Sequence, residues 1–291
     1  MILGGNLANQ NIDWWHSALD STGEHSGDLV SRIGDLNFNY GVTDNWNLQV
    51  SFLGGTRNMY FPGTPNIHHR NEKKSGLANI RVIFRYLDTN QDFGPGDRFF
   101  LGFGLSIPSD NTLKEDPFSL GKQGLDHTHF SMSEGVLKGI GEIQFFRRTE
   151  SPFLLGFVGR LESPFGPSKY GYQPGTEVAI SGMSYIHGKR VLGAMPFFII
   201  SGQFRSRSYW NGKVSPNSKV SIIQTGAGLA WNLGESLITL SAQSPFIFKT
   251  NMIDETNSVN SRTEVFLLSL SYRKMFNLVH GMGKKDKKHD H

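Results

Sequence analysis

The sequence predicts an all-β chain: an up-and-down antiparallel transmembrane β-barrel of about twelve strands, with short periplasmic turns and long extracellular loops. Three observations carry that expectation. Segments of roughly ten residues alternate apolar and polar side chains with a period of two, which gives a strand one oily face and one wet face. The connections between these segments alternate short and long along the chain, an order that a β-sandwich with Greek-key connections has no reason to keep. Aromatic side chains, among them Tyr40, Trp46, Tyr86, Phe99, Phe145, Phe153, Trp231, Tyr272 and Phe276, fall near the short-turn ends, the level of an interfacial girdle.

Each element follows from its own alternation. In the stretch 34–52, Leu36, Phe38 and Tyr40 alternate with Asp35, Asn37 and Asn39. After a five-residue turn, Trp46, Leu48, Val50 and Phe52 alternate with Asn47, Gln49 and Ser51. Ala78, Ile80, Val82, Phe84 and Tyr86 define the next strand. Phe99, Leu101, Phe103, Leu105 and Ile107 define another, then Gly139, Gly141, Ile143 and Phe145, then Phe153, Leu155, Phe157 and Leu161. Weaker strands run near 176–186 and 196–207, and 220–231, 237–243 and 264–276 complete the set. The short connections are 41–45, 147–151 and 232–236, with longer members near 87–98 and 187–195. The long ones are about 54–76, 108–128, 163–175, 207–219 and 244–263. If the short turns are periplasmic, an even count requires one more strand before 29–40. It must lie within Met1 to His16, where Ile12 and Trp14 alternate weakly.

Composition narrows the class further. The 291 residues have a mean hydropathy of −0.32 and no apolar run near the roughly 18 residues of a membrane helix, which excludes helical membrane proteins but not barrels. With no cysteine there are neither disulfides nor thiolate metal sites. The net charge of +4, without a basic stripe interleaved with aromatics, predicts no nucleic-acid partner. No basic and then apolar leader is visible over residues 1–10, so the chain reads either as a mature form or as one that is not exported. Residues 1–276 are expected to form a single barrel domain. Residues 277–291 follow as a flexible, charged periplasmic tail carrying Lys284, Lys285, Lys287 and Lys288. The tail and the outer loops are the places for a periplasmic or surface partner, and lipid is the partner of the outer face.

The run Gly34-Asp35-Leu36 leading through Tyr40-Gly41-Val42-Thr43-Asp44-Asn45-Trp46, followed by Gly76-Leu77-Ala78-Asn79-Ile80-Arg81, resembles the outer-membrane channels of the phenol meta-pathway "transporter" type, distant relatives of long-chain fatty-acid channels. The second motif departs from that family, with Ala78-Asn79 where an acidic residue is usual. The resemblance covers about 34–86 and is architectural beyond it. The closing aromatic Phe276 is also similar to the C-terminal signal of bacterial outer-membrane barrels. What the resemblance implies is a bacterial outer-membrane channel for small, often hydrophobic, organic solutes, with no catalytic residues to carry over.

The polar faces supply the candidate site. With lipid on the apolar face, Asn37, Asn39, Gln49, Arg81, Arg85, Glu142, Arg160, Gln203, Arg205 and Gln224 point into the lumen. There they either set solute preference or form a salt-bridged prop. No cofactor is called for. Two alternatives come from other residues. His129 and Ser131 form an His-x-Ser pair which, with Glu142, has the residue types of a lipid hydrolase. In that reading His129, Ser131 and Ser133 share strand parity with the apolar Ile143, which allows the pair to face lipid. His68, His69, His127 and His129 lie in consecutive long loops, and converging imidazoles there would hold metal or haem iron in a surface receptor. The loop 166–175, rich in glycine, proline and tyrosine, is a ligand loop, an inward constriction or a stiffened exposed loop.

Overall fold

Strands with one oily face leave unpaired backbone edges unless the sheet closes, and in lipid an unpaired edge has no water to satisfy it. The computed structural model closes it. It describes residues 1–16, 25–63, 70–90, 95–128, 130–148, 152–215, 218–250 and 261–276. The strands are β1 (Ile2–His16), β2 (His25–Gly41), β3 (Trp46–Tyr60), β4 (Glu72–Asn90), β5 (Gly96–Pro108), β6 (Lys138–Arg148), β7 (Phe153–Pro164), β8 (Tyr172–Gln173), β9 (Glu177–Ile186), β10 (Met195–Arg205), β11 (Tyr209–Trp210), β12 (Lys213–Val214), β13 (Val220–Leu233), β14 (Ser236–Thr250) and β15 (Ser261–Met275). Twelve form a closed antiparallel barrel in the order β1-β15-β14-β13-β10-β9-β7-β6-β5-β4-β3-β2. The short β8, β11 and β12 make a separate sheet of three. The strand expected before residue 29 is β1. It closes the ring by pairing Ile2 with Met275 and running in register to His16 opposite Ser261.

The turns are local chemistry. In 41–45, the Thr43 hydroxyl accepts from the Asn45 and Trp46 amides at 3.3 and 3.0 Å. The Asn45 side chain donates to the Leu87 carbonyl at 3.0 Å, tying the turn to β4. The β13–β14 hairpin turns on two residues between Leu233 and Ser236. Gly234 occupies the first at φ +69°, a conformation that favours glycine.

Facing follows the alternation. Leu36, Phe38, Tyr40, Phe84, Leu101, Phe103, Leu105, Phe157, Phe198, Leu240, Phe266, Leu268 and Leu270 are exposed on the outside of a closed wall, which is the surface of a lipid-embedded barrel. Near the short-turn ends, Trp46 packs on Tyr86 at 5.0 Å and on Phe103 at 6.1 Å between centroids.

Three boundaries differ from the sequence reading. The expected loop 54–76 shrinks to 61–71, because β3 runs to Tyr60 and β4 begins at Glu72; Ser244–Thr250 likewise continues β14. The extensions of β3 and β4 carry polar residues on both faces and pair without showing alternation, whereas the alternation of β14 breaks at the register shift opposite Ile223 and Gln224. In contrast, the loop after β5 extends to residue 137, since β6 begins only at Lys138. The tail 277–291 lies outside the described residues.

Leu270 sits midway up the lipid-facing row of the closing strand. Replacing it with arginine is expected to cost about 2–4 kcal/mol in urea unfolding from lipid vesicles, the cost of a cation near the bilayer midplane.

Candidate functional site

Inward parity places a belt of charge inside the wall. Arg85 on β4 reaches across β5 to Glu142 on β6, its Nε donating to Oε1 at 2.5 Å. The residue of β5 in the same row is Gly102, paired with both Arg85 and Glu142. A Cβ there would stand 3.1 Å from the Glu142 Cβ and 3.4 Å from the Arg85 Cγ, so the glycine leaves the gap the arginine crosses. Glu142 Oε1 also accepts from Gln144 at 2.7 Å, and Oε2 accepts from Arg160 Nη2 and Nε at 2.8 and 3.1 Å. The carboxylate is fully buried between two guanidinium groups. Arg85 donates onward to Asn39 at 3.3 Å, and Asn39 to Asn37 at 3.4 Å. Arg81 pairs with Glu162 at 2.8 Å, and Gln49 donates to the buried Ser51 at 2.7 Å. On the far wall Gln203 and Arg205 both bond Glu177, at 3.0 and 2.7 Å, while the buried Nε2 of Gln224 makes no hydrogen bond.

A second glycine works the same way. Gln243 on β14 lies over Gly226 of β13, where a Cβ would meet its Cγ at 2.6 Å, and accepts from Ser201 of β10 at 2.9 Å.

The loop after β5 adds a feature that strand periodicity could not reveal. It forms helix α1 (Pro117–Lys122), capped by Asp116 accepting from the Phe118 amide, and then turns inward. Its base is held by Arg70, which bonds Asp126 at 2.5 Å and the His127 carbonyl at 2.8 Å. That guanidinium keeps the Asp126 carboxyl below the usual carboxylate range. Further along, the Ser131 carbonyl accepts from Arg57 of β3 at 2.8 Å and the Ser133 hydroxyl donates to Asn79 of β4 at 2.8 Å. The Glu134 carboxylate pairs with Lys138 and, at 3.5 Å, with Arg205 of β10. With β4, β5, β6, β7 and β9 between them, β3 and β10 stand opposite one another in the ring of twelve. Residues 131–134 therefore cross the mouth from wall to wall as a strut, in which Met132 is buried, as is Val136 just after it. Beside the strut, β8 and β11 join two neighbouring loops, with Tyr172 against Trp210 at 4.9 Å. The loop 166–175 thus ends in a small sheet at the mouth.

The strut corrects one premise of the hydrolase reading. Gly135, at φ +69°, precedes the start of β6, so Ser131 and Ser133 share no strand with Ile143 and strand parity does not turn them to lipid. The Ser131 hydroxyl donates to the Ser133 carbonyl at 2.6 Å, and Glu142 is engaged by Arg85, Arg160 and Gln144. His129, like His68 and His69, falls outside the described residues. Of the proposed metal ligands only His127 is placed; it is buried, with Nδ1 donating to the Leu125 carbonyl at 2.8 Å.

Comparison with known proteins bears on the fold. No protein-family model matches the chain, and no curated protein sequence does. Among solved structures the chain is similar to an outer-membrane channel from Pseudomonas putida F1, at TM-score 0.64 and 13% identity over 94% of this chain and 95% of that one. It also matches the CymD monoaromatic hydrocarbon channel, at TM-score 0.44 and 9% identity over 94% and 88% of the two chains. LpxR from Salmonella typhimurium matches at TM-score 0.43 and 11% identity over 95% and 100%. The first likeness is one of fold. The chain is an outer-membrane β-barrel. The other two lie below a TM-score of 0.5 and carry no argument.

Removing the buried carboxylate leaves two guanidinium groups facing each other without an anion. Glu142→Gln is expected to lower unfolding stability by about 3 kcal/mol or more in urea titrations, whereas breaking the exposed Arg147–Asp97 pair changes little.

Proposed function

We propose that the protein is a passive outer-membrane channel for small, hydrophobic organic solutes. The observation that carries this reading is the strut. Residues 131–134 narrow the mouth of a closed barrel whose interior is otherwise lined by amides, hydroxyls and paired charges, the arrangement of a selective pore. Support also comes from the fold, which is similar to that of an outer-membrane channel, and from the resemblance over residues 34–86. A solute enters between the outer loops, passes the strut and leaves past the short turns down its own gradient, in whichever direction that gradient runs. No cofactor is needed, because no bond is made or broken. Most inward charges are already bonded to one another, so they offer an incoming neutral molecule little competition from free ions.

The test is single-channel recording of the purified protein in a planar bilayer, with swelling of protein-loaded liposomes in small uncharged aromatics. Discrete conductance steps and solute-driven swelling are expected. A barrel closed at all voltages that passes no solute would overturn the reading. Glu134→Gln, which removes the charge that binds the strut to Arg205 and Lys138, is expected to raise the frequency of open events in the same recordings.

A further inference from the structure

The charges inside the barrel are not spread around it. They lie on β2, β3, β4, β6, β7, β9 and β10, as Asp35, Arg57, Arg81, Glu142, Glu177, Arg205 and their partners. The remaining arc, β13-β14-β15-β1, is a third of the ring. Over Ile222–Ala230, Leu237–Gln243, Val265–Ser271 and Ile2–Ile12 its inward positions hold only aliphatic, hydroxyl, amide and glycine residues. Among the described residues of the arc, inward charge returns at Arg273, at the short-turn end of β15.

The position of the strut also separates this arc from the rest. The strut grows from the β5–β6 end of the barrel and is anchored on β3, β4 and β10, so it stands over the charged walls. Tight burial occurs on both sides, with Ile222, Ser241, Gln243 and Val265 buried on the uncharged arc. On the charged side Ile83 and Ser106 are fully enclosed, and Lys138 and Glu142 are 3% and 4% exposed. Along β15 and β1, Asn6, Ala8, Leu267 and Ser269 are only half-buried. The uncharged wall is therefore the side of the lumen that the strut does not stand over, with Asn6, Ala8, Leu267 and Ser269 lining it. A charged solute on that side would lose hydration and meet no counter-ion, whereas a neutral one meets hydroxyls and amides spaced between aliphatic groups.

We propose that solute passes along the uncharged wall, lined by Asn6, Ala8, Leu267 and Ser269, and that the arginine belt is the scaffold that carries the strut rather than the selecting surface. The passage admits uncharged, weakly polar molecules and discriminates against organic anions and cations. This inference rests on the channel reading, and its test separates the two.

The chain has no cysteine, so single Ser→Cys variants report without background. Ser269→Cys probes the uncharged wall. Ser181→Cys is the same substitution on β9, also inward and half-buried, on the charged side. Both are labelled in intact Gram-negative cells with an impermeant maleimide added from outside, and modification is followed by mass spectrometry. Ser269→Cys is expected to react at least about tenfold faster than Ser181→Cys, as a thiol lining the open path should. In liposome swelling, labelled Ser269→Cys is expected to lose most of its flux of an uncharged aromatic, while labelled Ser181→Cys keeps it. Equal or reversed rates, or a labelled Ser269→Cys protein with full flux, would overturn the proposal. A wild-type protein that passes no solute would sink the channel reading instead, and the labelling ratio would still decide which wall is open.

Discussion

Closure of the backbone ladder is the constraint on which the rest of this structure depends. In lipid each strand's amides and carbonyls must pair within the protein, and only a ring of strands leaves none at an edge. Here the ring closes where β1 meets β15, fifteen residues of ladder from Ile2–Met275 to His16–Ser261. Once the ring is closed, the period-two pleat sends every second side chain to lipid and the rest into a narrow interior. The composition of the two faces is then a consequence of solvent, with Leu36, Phe38 and Phe103 outside and Asn37, Arg85 and Glu142 within.

A polar interior in a ring of twelve strands is a crowded place for charge. Long side chains projecting inward meet one another before they meet bulk water, and an unpaired one is costly. Glu142 therefore sits between Arg85 and Arg160 with both guanidinium groups and the Gln144 amide donating to it, and Gly102 is what makes the span across β5 sterically feasible. The same logic holds the strut: its crossing is pinned at one wall by Arg57 and at the other by Arg205 through Glu134. Charge inside this barrel thus works mainly as structure, and the uncharged arc is what remains for the passage proposed above.

Legibility in the sequence followed solvent contrast. Wherever one face meets lipid and the other the lumen, alternation is strong, and β2, β3, β4 and β5 could be read residue by residue. Where both faces are wet, as over Arg57–Asn58 and Glu72–Ser75, the same backbone ladder leaves no pattern, and periodicity predicts loop where the structure has strand. The segment 131–134 departs from its pattern in the opposite sense. Its alternating serines looked like strand, but Gly135 turns the chain before β6 starts, and the segment crosses the mouth. Of the candidate site, the inward direction of Asn39, Arg81, Arg85, Glu142 and Arg160 could be read from parity, while the pairing of Arg57 with the Ser131 carbonyl had no sequence signal.

By itself the sequence determined the fold class, the strand parity and the exclusion of thiol chemistry, because these depend on residue type and spacing of two. Only the tertiary structure decided which inward groups meet. Arg85 and Glu142 are 57 residues apart in the chain, and the register of β4, β5 and β6 brings them together. Glu134 and Arg205 meet because a loop folds inward across a closed ring. The uncharged third is assembled likewise, from β1 at one end of the chain and β13, β14 and β15 at the other. Adjacency around a barrel is fixed by closure, and no local pattern encodes where a ring will close.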